Sequence, residues 1–129
     1  MQFESRIDIV SFYGAFIEDS DLKLILESLI KKLILEYQYD VDETHVYLQR
    51  KHRGFSIALI TQALRSGFLY ELTAPSKVLW GCDIEGRFLI LALWLYDRNR
   101  KPAFKWTQES IAQVEFIHVK TAFWEGDAK

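Results

Sequence analysis

The chain of 129 residues holds a single cysteine, Cys82, so no internal disulfide can form and nothing in the cysteine usage points to an oxidising compartment. Long apolar runs are missing as well. The longest, from Phe88 to Tyr96, has nine residues, whereas a membrane-spanning helix needs about 20. The opening residues, Met1 to Arg6, lack a basic leader followed by an apolar segment, so the expectation is a soluble, cytoplasmic protein with no membrane partner. Glycine is sparse and scattered: the six at 14, 54, 67, 81, 86 and 126 form no phosphate-binding loop, and no GxSxG elbow is present. The three histidines, His45, His52 and His118, fall in no HxxxH or HExxH spacing, so neither a metal nor any other cofactor is expected. Asp40, Asp42 and Thr44 echo the alternate oxygens of a calcium loop, but His45 stands where that turn needs glycine and no Glu closes the pattern.

Net charge is small too. Eighteen acids against sixteen Lys and Arg leave −2, too little for a global field that gathers nucleic acid. The distribution is uneven. Residues 1 to 43 sum to −6 and residues 44 to 129 to +4.

What is present is apolar and aromatic: half the residues are hydrophobic and 15% are Phe, Tyr or Trp. A chain of this length buries roughly two thirds of its unfolded surface, enough for one globular domain over 1–129. No repeat, linker or shift in composition divides it. Ile7 to Phe16 reads as a first strand or a short buried segment. Leu22, Ile25, Leu26, Leu29, Leu33 and Tyr37 recur at helical spacing after an acidic start at Glu18 to Asp21, and Glu27 and Lys31 stand four apart on the solvent side. Leu24 and Leu35 lie off that stripe, so the helix is either covered on a second side, which is the expectation, or offers apolar surface to another molecule. Thr44 to Gln49 alternates as a strand, and Arg50 to Gly54 makes a basic turn. Ser56 to Ser66 fits a short helix closed by Gly67 in a left-handed conformation, with a strand at Phe55 to Thr61 as the competing assignment. Phe68 to Leu72, Val78 to Cys82 and Phe88 to Tyr96 read as an antiparallel meander, with the last strand central because it is apolar throughout. Asp97 to Pro102 is a surface loop; a helical turn and then a strand follow up to Trp124. The predicted fold class is α+β: a mainly antiparallel sheet packed on one long and one short helix.

Catalytic signals are weak. Cys82 inside a strand reads as an ordinary buried thiol. Two basic clusters stand out, Arg50 to Arg53 and Arg98, Arg100, Lys101 and Lys105, the second next to Phe104 and Trp106. Cations beside aromatic rings suit a phosphate backbone with unpaired bases, so nucleic acid is the secondary partner class. The order Phe68-Leu69-Tyr70-Glu71-Leu72, Val78-Leu79-Trp80, Arg87 to Leu95 and then a basic loop resembles the strand succession of small RelE/HigB-type ribonuclease toxins over about the last 60 residues. That resemblance implies metal-independent RNA cleavage, with Arg87, Arg98, Arg100 and Lys101 holding the phosphate and His118 as acid or base.

The leading expectation is a non-catalytic protein-binding module. Tyr37, Tyr39, Asp40, Asp42 and Glu43 form an acidic, aromatic surface, and Trp106 adds a second aromatic contact; together they suit a basic protein partner, in the manner of an immunity protein or antitoxin covering a toxin. A third expectation is a small-molecule pocket between the first helix and a curved sheet.

Overall fold

A computed structural model describes residues 20–48, 55–102 and 107–126. The expected strand at Ile7 to Phe16, the basic turn at Arg50 to Gly54 and Trp106 lie outside the described residues. Within them the chain forms four helices and five strands in one α+β sheet structure. The helices are α1 (Ser20–Leu35), α2 (Glu43–Val46), α3 (Ile57–Ser66) and α4 (Gln108–Ala112). The strands are β1 (Tyr39–Val41), β2 (Phe68–Ala74), β3 (Lys77–Ile84), β4 (Arg87–Tyr96) and β5 (Phe116–Trp124).

Helix α1 follows its apolar spacing, with Leu22, Leu26, Ile30, Leu33 and Ile34 buried. Ile25 and Leu29 sit at the margin of the core, so the buried stripe is rotated towards Ile30 and Ile34. Tyr37 drops out of the stripe because the helix has already ended. Tyr37 takes a left-handed φ of 58°, its N–H donates to Ile34 O and that of Gln38 to Leu33 O, a Schellman closure with tyrosine where glycine is usual. Leu24 and Leu35 are not buried; they are 60% and 63% exposed. Glu27 also departs from the expected solvent face, since its carboxylate accepts the N–H of Leu69 at 2.9 Å.

The expected strand at Thr44 to Gln49 is instead the single helical turn α2. Asp42 caps it by accepting from His45 N at 3.1 Å, which bends the chain out of extension, and the strand lies before the cap, as β1. Helix α3 forms where the spacing placed it, with the Ser56 hydroxyl accepting from Leu59 N at 3.0 Å, and the competing strand at Phe55 to Thr61 is absent. Gly67 closes α3 for a different reason than expected. Its φ is −88°, not left-handed, but a Cβ there would lie 2.6 Å from Ala63 O, Gly81 O and Trp80 Nε1. Glycine lets the helix end press against β3.

The sheet order is β1-β5-β4-β3-β2. Strands β2 to β5 are antiparallel and β1 pairs parallel with β5, so the sheet is mixed rather than wholly antiparallel, and β4 is central as expected. Among the described residues four helices, of 16, 4, 10 and 5 residues, stand where one long and one short helix were expected. One sheet face carries Leu89, Leu91, Leu93 and Leu95 with Val78, Trp80, Ile117 and Val119. These join buried residues of every described helix in one core cluster. The indole of Trp80, wholly buried, donates to Ala63 O and Leu64 O at 3.2 Å and ties β3 to the end of α3. Because side chains alternate along a strand, Ile90, Ala92, Trp94 and Tyr96 point the other way, away from the described helices.

Candidate functional site

Strand register builds the site. Asp40 on β1 pairs with His118 on β5, His118 with Trp94 on β4, and Trp94 with Lys77 on β3, which sets four side chains in a row across the face turned away from the described helices. His118 Nδ1 lies 2.6 Å from Asp40 Oδ1, and a carboxylate only accepts, so Nδ1 carries a hydrogen and donates it. The imidazole sits 6.2 Å from the Trp94 ring, centroid to centroid. Lys77 Nζ lies 4.7 Å and Lys120 Nζ 5.1 Å from the same ring's centroid, within the range of a cation–π attraction. Lys120 is available because the β4–β5 ladder slips between Ala92 and Leu93, which places it in a bulge between the paired residues Val119 and Thr121.

Just beyond β1, Asp42 ties the row to α2. Its Oδ2 accepts from Lys120 Nζ at 3.1 Å, while its Oδ1 accepts from the His45 backbone N–H and lies 3.1 Å from His45 Nδ1. Burial pushes the Asp42 carboxyl upward, but the hydrogen bonds from the His45 backbone and side chain and from Lys120 outweigh it, and the group ends well below the usual carboxylate range.

Past the end of β4 the loop 97–102 turns back. Asp97 Oδ1 accepts the N–H groups of Asn99 and Lys101 at 2.8 and 3.0 Å, Arg100 takes a φ of 62°, and Pro102 bridges to Tyr96. This places the Arg100 guanidinium 3.8 Å from the centroid of the Phe116 ring. Trp94, Tyr96, Arg100 and His118 then line a groove of about 290 Å³.

The two rival sets of sequence candidates therefore meet. Asp40 and Asp42, expected in the acidic surface, contact His118 and Lys120, while Arg100 and His118, two of the five residues of the alternative catalytic set, share the groove. The rest disperse. Arg87 lies over Trp124 at 4.2 Å, at the far end of β4 and on its core side. Arg98 lines another groove with Asp97, Asn99, Ala112, Gln113 and Glu115. Lys101 is exposed in the loop, and Glu43 is exposed at the start of α2. Tyr39 packs against the core, and Tyr37 is 66% exposed, its hydroxyl accepting from Arg65 at 2.9 Å. Neither groove lies between α1 and the sheet, where the small-molecule pocket was expected.

Sequence reasoning missed Trp94, Tyr96, Lys77 and Lys120. Two of these sit inside the apolar run of β4, and their signal was the two-residue alternation of Trp94 and Tyr96 against Leu93 and Leu95. Among the described residues no group of three His, Cys, Asp or Glu is placed to hold a metal ion, and no described helix is long and apolar enough to cross a membrane. Cys82 is 4% exposed, and burial, with the Asp83 charge, pushes its thiol upward, away from the thiolate a nucleophile needs. Comparisons with protein-family models, curated proteins and solved structures gave no match.

Proposed function

We propose that the protein is a binding module whose ligand is an anion carrying a flat ring, held in the groove of Trp94, Tyr96, Arg100 and His118. One observation carries this reading: a guanidinium and an imidazole from separate elements share a groove with two aromatic side chains. Guanidinium binds carboxylate or phosphate oxygens through paired N–H groups, and aromatic walls accept a planar ring by stacking. The mounting is stiff. Three of the four residues stand on paired strands, and Arg100 stands on a loop closed by Asp97. Small-molecule sites commonly combine such apolar walls with a few fixed polar groups.

Titration of intrinsic tryptophan fluorescence tests it, using adenosine monophosphate and an aromatic carboxylate as ring-bearing anions, with adenosine and inorganic phosphate as controls. A ring-bearing anion should bind at least about tenfold more tightly than either control, and Arg100→Gln should weaken it by a similar factor, the equivalent of ~1.4 kcal/mol. Equal or absent binding across the panel, or an unaffected Arg100→Gln variant, overturns the reading.

A second reading, recognition of a basic protein in the manner of an immunity or antitoxin module, is favoured by exposed apolar side chains in an acidic stretch of the chain. Leu35, Tyr37 and Leu48 are 63%, 66% and 68% exposed. They lie within a stretch that carries Glu36, Asp40, Asp42 and Glu43 and no Lys or Arg. Its test is a co-purified basic protein that is lost with Tyr37→Ala and Glu43→Lys but retained with Arg100→Gln.

A further inference from the structure

The charges around the groove do not cancel, and their sum turns on one proton. Arg100, Lys77 and Lys120 are cations; Asp40 and Asp42 are carboxylates engaged by His118 and by Lys120. With a neutral imidazole the balance is one positive charge, and with an imidazolium it is two. Where the second proton goes is fixed by geometry. Nδ1 already donates to Asp40 at 2.6 Å, so the proton enters at Nε2. Among the described residues the carboxylate facing Nε2 is that of Asp42, whose Oδ2 at 3.9 Å is beyond hydrogen-bond reach and already engaged by Lys120. An Nε2 proton is thus left for a ligand.

We infer that the groove selects a phosphate monoester dianion over singly charged ligands and takes up one proton from solvent on His118 Nε2 as that dianion binds. This rests on the groove reading above and adds the ligand class to it: a ring-bearing phosphate monoester such as a nucleoside monophosphate. Above about pH 7 a phosphate monoester carries close to two charges, whereas a diester or carboxylate carries one. A dianion matches the groove in its doubly charged, imidazolium form; a monoanion matches it in its singly charged, neutral-imidazole form. The groups facing His118 are Asp40 from β1, Asp42 beyond it, His45 of α2 through Asp42, Lys120 on its own strand, Trp94 of β4 with Lys77 behind it, and Arg100 from the loop. His45 is the second histidine among these groups, and its side chain is 53% exposed.

Isothermal titration of the full chain with adenosine monophosphate and with its cyclic diester, each in two buffers of different ionisation enthalpy, separates the terms. The expected result is about tenfold tighter binding of the monoester with uptake of close to one proton, and little uptake with the diester. His118→Gln should abolish the uptake and shrink the preference, while His45→Gln leaves both in place. Asp40→Asn retains an acceptor for Nδ1 and removes one negative charge, so it should improve diester binding, which guards against reading a folding defect as loss of a site. Equal affinity for the two ligands, no proton uptake, or uptake that persists in His118→Gln overturns the inference. If both ligands bind through Arg100 without preference, only this inference falls; if neither binds, the groove reading falls with it.

Discussion

The backbone N–H of Leu69 donates to the carboxylate of Glu27 at 2.9 Å, across 42 residues of sequence. Strand β2 is an edge of the sheet, and an edge strand presents unpaired N–H groups that can template pairing with another chain. Helix α1 closes one of them with a charged acceptor. Glu27→Ala should therefore lower stability by about 1–2 kcal/mol in urea unfolding, the usual scale for a partly buried hydrogen bond to a charged group. Glu27→Gln keeps an oxygen acceptor and should lose clearly less. Equal losses in the two variants would assign the effect to charge rather than to the bond.

Gly67 and Trp80 form the other tie between helix and sheet. A methyl group at Gly67 would meet two backbone oxygens and the Trp80 Nε1, each at 2.6 Å, so Gly67→Ala must push α3 away from β3 and break the indole's bonds to Ala63 O and Leu64 O. A cost of about 2–3 kcal/mol is expected, from overpacking and a lost buried hydrogen bond together. Trp80→Phe removes the donor without the clash and should cost less than Gly67→Ala in thermal unfolding. Near-neutral Gly67→Ala would mean that the contact relaxes without cost.

Much of this was legible in the sequence wherever the signal is local. The meander from Phe68 to Tyr96 shows as apolar runs broken by turn residues, and the turns fall at Ser76, with φ 67°, and at Glu85-Gly86, both with positive φ. Thr107 announces α4 by its hydroxyl, which accepts from Ser110 N at 3.0 Å. What stayed hidden depends on distant partners. Strand β1 has three residues and exists by pairing with β5, 78 positions away at Asp40 and His118, so no periodicity could reveal it. The groove was hidden for a related reason. Trp94 and Tyr96 look like core in an apolar run, and only the register against His118 and Phe116 shows that they face away from the described helices. Arg87, Arg98 and Arg100 are equivalent as letters; strand alternation and the left-handed Arg100 turn send them to three different places.

Asp42 gives the acid side of the stability profile. In the unfolded chain its carboxyl takes up a proton near the ordinary value of 3.8, while in the fold it resists protonation to lower pH. Its contribution is therefore complete above that ordinary value and declines as pH falls below about 4 towards the folded value, because protons then bind the unfolded chain more readily. Asp42→Asn keeps a side-chain oxygen to cap α2 but no charge for Lys120, so unfolding between about pH 4 and 2 should depend less on pH than in the natural chain. Asp42→Ala also loses the cap and should cost about a further 1 kcal/mol at neutral pH. An unchanged acid limb in Asp42→Asn would show that other carboxylates set it.

Cys82 supplies a probe of global opening. The thiol is 4% exposed on β3, and burial, with the Asp83 charge adding to it, raises it above its ordinary value, so both access and thiolate fraction are low. A disulfide reagent that consumes thiolate should react at about pH 8 at least ~100-fold more slowly with the native protein than with the urea-unfolded chain. Since β3 lies between β2 and β4 and packs on α3, the residual rate should rise in step with the destabilisation caused by Glu27→Ala and Gly67→Ala. That proportionality distinguishes opening of the whole sheet from a local route to the sulfur. Rapid native labelling, unaffected by those two substitutions, would mean that β3 frays independently and that the core cluster is not one cooperative unit.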